Sequence, residues 1–100
     1  MMPNLSYLKG RNAEYRCIHT LEKMGYYCVR AAGSHGVDIV AFLSLNHNPD
    51  ELPLIRAVSV KATRYVSKKD IKEIKGLKLT SFVSKELWHY KPGKREPKIL

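Results

Sequence analysis

Three side chains able to take part in acid, hydroxyl or charge chemistry, Ser34, Asp38 and Lys61, fall within two short stretches of this chain. The first reads Gly33-Ser34-His35-Gly36-Val37-Asp38-Ile39-Val40-Ala41-Phe42, and after a polar loop the second reads Ile55-Arg56-Ala57-Val58-Ser59-Val60-Lys61. An acid at the start of one apolar strand and a lysine at the end of the next meet at one edge of a sheet if the strands are neighbours. A carboxylate and an ammonium held together there suit a metal site. Strict alternation in the second strand puts Ser59 and Lys61 on the same face. Ser59 is the odd member, because a metal site at that position normally wants a second carboxylate.

The elements that must position these residues are legible in order. Residues 1–8 read as a short lead, with Pro3 against a helix already under way. From about Lys9 the residues Tyr7, Glu14, Cys17, Ile18, Leu21 and Met24 recur at helical spacing, and Gly25 supplies a C-terminal stop. Glu14 falls on the apolar stripe of that helix, so it either rims the stripe in solvent or faces a cation. Tyr26–Ala31 is expected as a strand, and the small residues from Ala32 to Gly36 as a loop that either approaches a ligand or simply turns a hairpin. Val37–Leu45 reads as a central strand buried on nearly both faces, 46–53 as a proline-containing loop, and Leu54–Lys61 as an alternating strand. Lys68–Lys78 carries Ile71, Ile74 and Leu77 at helical spacing, with Ser67 or Asp70 as its cap. Glu86–Lys91 is the last expected strand, before the turn Pro92-Gly93-Lys94-Arg95-Glu96-Pro97 and a basic tail. The order is α-β-β-β-α-β in a single α/β domain spanning 1–100.

Charge points to a partner. The chain has 18 Lys+Arg and 9 Asp+Glu, and +8 of its formal +9 lies in residues 61–100. A polyanion, nucleic acid above all, suits such a segment, although basic surfaces also serve solubility. No apolar run is long enough to span a membrane and no signal-peptide pattern opens the chain, so a soluble cytoplasmic protein with no membrane partner is expected. Cys17 and Cys28 lack CxxC spacing and read as buried thiols, and the four histidines show no ligand spacing.

The segment Lys9-Gly10-Arg11-Asn12-Ala13-Glu14-Tyr15, the strand ending in Arg30, the run Ala31-Ala32-Gly33-Ser34 and the strands Val37-Asp38-Ile39-Val40-Ala41 and Val58-Ser59-Val60-Lys61 together resemble the archaeal-type Holliday-junction resolvases. These belong to the PD-(D/E)xK nuclease superfamily, which includes viral members. The resemblance covers about residues 8–64. It implies a restriction-endonuclease-like fold, a central mixed sheet flanked by helices, and a homodimer that cuts a four-way DNA junction in recombination and repair. It also implies an active site of Glu14, Ser34, Asp38, Ser59 and Lys61, in which Glu14, Asp38 and residue 59 hold Mg²⁺, with Mn²⁺ a substitute. Lys9, Arg11, Arg30 and Arg64 are then expected to flank the cut. Lys68 and Lys69, with Lys72, Lys75 and Lys78, form either a second DNA surface or a solvated helix face. Leu87, Trp88 and Tyr90 are either part of the dimer interface or ordinary core.

Ser59 departs from the family pattern, which has an acid there. A substitution introduced to trap an uncleaved state, a natural two-carboxylate site, and a relative that binds branched DNA without cutting it all fit. A PD-(D/E)xK nuclease for another branched DNA is a further alternative.

Overall fold

The computed structural model describes residues 5–31, 36–44 and 53–100, with the side chains of 5–9 excepted. Ser34 and the 46–52 part of the polar loop lie outside the described residues. Helix α1 (Leu5–Lys23) is followed by β1 (Tyr26–Arg30), β2 (Ile39–Leu43), β3 (Ile55–Lys61), α2 (Lys68–Lys75), β4 (Val83–His89) and β5 (Lys98–Ile99). The strands form one mixed sheet in sequence order, antiparallel except for the β3–β4 pair, which α2 connects. This is an α/β fold with a helix on each face.

Helix α1 starts at Leu5, upstream of the expected Lys9. A proline just ahead of a helix costs nothing there, since the first N–H groups have no acceptor inside the helix. Its buried row is Ala13, Cys17 and Leu21, at intervals of one turn, and it packs with Tyr26, Ile39, Ala41, Val58, Trp88 and Tyr90. Met24, expected on the stripe, is exposed, because the helix ends beneath it and Gly25 turns the chain at φ 99°. Helix α2 covers the other face, where Ile74 packs with Ala57 and Leu87. Both expected caps act together in a capping box: the Ser67 hydroxyl accepts from Asp70 N–H and the Asp70 carboxylate from Ser67 N–H.

Three differences from the sequence reading matter. β2 is shorter than Val37–Leu45 and not buried on both faces, since Phe42 is exposed on the α2 face of the sheet, at a strand over which α2 does not extend. The basic tail returns as β5 along β4. Leu87, Trp88 and Tyr90 are core residues of the monomer, at most 4% exposed, so they offer no surface for a dimer.

One ionic network lies inside the α1 face. Arg56 grips both oxygens of Glu86 at 2.9 and 3.0 Å, while Ser84 Oγ and Trp88 Nε1 donate to the same carboxylate at 2.6 and 2.9 Å. Removing the acid strands a nearly buried guanidinium. Glu86→Leu is expected to cost about 3–5 kcal/mol, read from denaturant unfolding. Ser67→Ala, which deletes only a cap, is expected to cost about 1 kcal/mol in the same experiment.

Candidate active site

Asp38 is the residue on which the site is built. It precedes β2 at the point where the regular β2–β3 pairing ends with Ile39 opposite Val58. Its N–H donates to Val58 O and its carbonyl accepts from Ala31 N–H, both at 2.8 Å. Its Oδ2 accepts from Val60 N–H at 2.7 Å. The carboxylate therefore takes the place of a main-chain acceptor and bridges the gap between the parting strands. Burial raises the Asp38 pKa above the ordinary carboxylate value; the Val60 N–H opposes this, the Glu14 charge adds to it, and Lys61 and Arg30 oppose it.

Those three neighbours come from three elements. Glu14 stands one residue from the buried row of α1 and is paired with Arg30 of β1 at 2.8 Å, which settles its position on the stripe: it faces a cation. Lys61, at the end of β3, is 3.7 Å from Asp70 of α2. That pair is partly exposed and correspondingly weak, so the ammonium can exchange Asp70 for an incoming anion at little cost. The end of β3 is itself fixed, since Tyr90 N–H donates to Lys61 O at 2.7 Å and a His89 ring nitrogen lies 2.6 Å from Thr63 O.

Ser59 is 2% exposed. By alternation with Ala57, which packs under α2, it faces α2 together with Lys61, whereas Glu14 approaches from the α1 side. Glu14 and Ser59 thus lie on opposite faces, and the Glu14 charge acts on Asp38 at the end of β2. Asp38 and Glu14 are two carboxylates close enough to act on each other, and Mg²⁺ is commonly held by one or two carboxylates with water and phosphate oxygens completing its shell. Ser59 fits less well, being neutral and on the other face. Among the described residues, no three His, Cys, Asp or Glu side chains come together as a ligand set.

Of the expected DNA contacts, Arg30 is tied to Glu14 and stands over the Tyr15 ring at 5.5 Å. Arg11 donates to the Tyr15 hydroxyl at 3.1 Å. Arg64, Lys68 and Lys69 are exposed, as are Lys72, Lys75 and Lys78. The Lys9 side chain lies outside the described residues, as does Ser34. Gly36, which closes that loop at φ 81°, has the Glu73 side chain of α2 where its own Cβ would point, 3.3 Å away. The sequence alone does not reveal Asp70 as the partner of Lys61. The cap signal Ser67-x-x-Asp70 located it at the start of α2, but only the parallel β3–β4 crossover brings that start beside Lys61. No protein-family model and no curated protein matches the chain.

The raised Asp38 pKa has a definite consequence. Native Asp38 holds its proton to higher pH than the unfolded chain does, so its contribution to stability falls as pH rises above the ordinary carboxylate range. Asp38→Asn removes that penalty while keeping an acceptor for Val60 N–H. Thermal melting should show the variant more stable than the parent at pH 7 and the difference closing below about pH 3.5. The opposite pH dependence from Asp70, whose pKa is lowered mainly by the Ser67 N–H, is common to both proteins and cancels.

Proposed function

We propose that the chain is a metal-dependent, structure-selective DNA endonuclease of restriction-endonuclease-like fold, acting as a homodimer on four-way junctions. The observation that carries this reading is the partly buried Asp38 carboxylate, pinned to Val60 N–H between parting strands with Lys61 beside it. The order of the motifs around it, resembling that of the resolvases, agrees.

In this proposal Asp38 and Glu14 hold Mg²⁺, with Mn²⁺ a substitute, and the ion supplies polarisation of the scissile phosphate and a more acidic bound water. The protein's own groups do the rest. Lys61 leaves Asp70 for a nonbridging phosphate oxygen and stabilises the charge that grows there during attack. Arg30 is the switch for Glu14: binding of the cation or of a phosphate near Arg30 frees the carboxylate from its ion pair. Ser34 and Ser59 contribute hydroxyls at most, so the site is weaker than one with an acid at position 59. Recognition follows phosphate positions and junction shape rather than base edges. Leu87, Trp88 and Tyr90 are core, so the second copy would use another apolar surface. Tyr27 and Phe42, opposite each other on β1 and β2, and Val29 form one that is open.

A second reading has its own support. Glu14 and Lys61 are both engaged within the chain, and residue 59 is neutral, as in a module that binds branched DNA without cutting it.

A labelled four-way junction and a matching duplex, each incubated with the protein in Mg²⁺ and in EDTA, separate the two. Paired nicks in the junction arms are expected in Mg²⁺ alone, reduced about 100-fold or more by Lys61→Ala and abolished by Asp38→Asn. Ser59→Glu is expected to raise the rate. Binding without nicks under Mg²⁺ or Mn²⁺, by the parent and by Ser59→Glu alike, would establish the binding module instead.

A further inference from the structure

A cavity of about 300 Å³ opens between α1 and the segment that follows β4, lined by Asn12, Arg16, Tyr90, Lys91, Gly93 and Lys94. None of its lining residues is acidic. Ala13 and Ala62 also line it, and they are the chain neighbours of Glu14 and Lys61. None of the residues singled out from the sequence as contacting DNA lies in it.

The cavity is built rather than incidental. Lys91-Pro92-Gly93-Lys94 is closed by Lys94 N–H donating to Lys91 O at 3.0 Å, with Gly93 at φ 81°. Proline at the second position and a positive-φ glycine at the third make a type II turn, which brings the first and fourth residues close together. The two lysines are therefore held near each other, both exposed, and neither has an ion pair among the described residues. Arg16 fixes the turn to α1: its guanidinium lies 4.7 Å from the Tyr90 ring centroid, and its edge donates to the carbonyls of Lys94, at 3.5 Å, and Arg95. A Cβ placed on Gly93 would meet nothing within 4 Å, so the backbone there is open to close approach. A concave site with an exposed lysine at each end of one turn, the Arg16 guanidinium and the Asn12 amide in its lining and no carboxylate is complementary to a phosphodiester.

We infer that this cavity seats a backbone phosphate of the DNA strand neighbouring the one attacked beside Lys61, with Lys91 and Lys94 as its ligands and Arg16 as the residue that positions them. This deepens the proposed function and rests on it for the identity of the strand. It assigns to the β4–β5 turn a role in holding the substrate in register with the site.

The test uses the full chain and its binding to a labelled four-way junction across a salt series, with ¹⁵N-resolved amide shifts on titration with a thymidine tetranucleotide. Lys91→Ala/Lys94→Ala is expected to weaken junction binding about tenfold or more and to lower the salt slope by about one, the value for one phosphate neutralised. Lys91→Arg/Lys94→Arg should restore both. Lys72→Ala/Lys78→Ala removes the same charge from α2 and the segment after it and should change affinity less than threefold. The tetranucleotide should shift the amides of Asn12, Gly93 and Lys94. Equal losses in the two alanine pairs, or shifts that avoid those amides, would overturn the inference while leaving the nuclease reading intact. Nicking that fails in the parent while the pocket amides still shift counts against the nuclease and supports the pocket.

Discussion

The hydrogen bond from Val60 N–H to the Asp38 carboxylate is the constraint on which the site depends. A β2–β3 ladder continued past Ile39 and Val58 would satisfy that N–H from a main-chain carbonyl and leave residue 38 pointing away from the seam. Instead the strands part and a side chain takes over the acceptor role. The same exchange holds a carboxylate partly desolvated at the end of the sheet, where the charges of Glu14, Arg30 and Lys61 all act on it. A group in that condition gains from any cation that replaces its lost hydration, whether a metal or an ammonium.

The two helices divide the labour around that seam. α1 packs its Ala13, Cys17 and Leu21 row on one face and so delivers Glu14 and Arg16, which lie just off the row, to the sheet end and to the neighbouring cavity. α2 enters the other face with its capping box towards Lys61, so that Asp70 serves the helix and holds the lysine in the same structure. Glu14 and Lys61 are thus each paired with a partly exposed partner. Under the proposed function, loading with substrate would exchange these ion pairs rather than refold an element. The buried Arg56–Glu86 network, by contrast, is bonded from several sides and belongs to the core.

Much of this was legible in the sequence because periodicity reports directly on burial. The α1 row, the alternation of β3 and the capped α2 all follow from patterns whose physical cause is local. Asp38 was legible as an acid heading an apolar strand, and Glu14 as a carboxylate on an apolar stripe that needs a cation. What was not legible depends on pairing across the sheet. That Lys61 meets Asp70 requires the parallel β3–β4 crossover, and that Ser59 faces away from Glu14 requires knowing which helix covers which face. Trp88 and Tyr90 looked equally suited to an interface or a core because an apolar strand residue carries no record of which it joins. The turn at Pro92-Gly93 was visible, but not that Arg16, far away in the chain, fastens it.

The proposed function requires Asp38 and Glu14 to form a cation site together at the seam between β2 and β3. Its most direct test is Mn²⁺ titration of the ¹⁵N-labelled protein, with paramagnetic broadening read amide by amide. Broadening should begin at Asp38, Val60 and Glu14 at low Mn²⁺ and disappear from all three in Asp38→Asn. Broadening that starts elsewhere, or that persists unchanged in Asp38→Asn, would contradict the account.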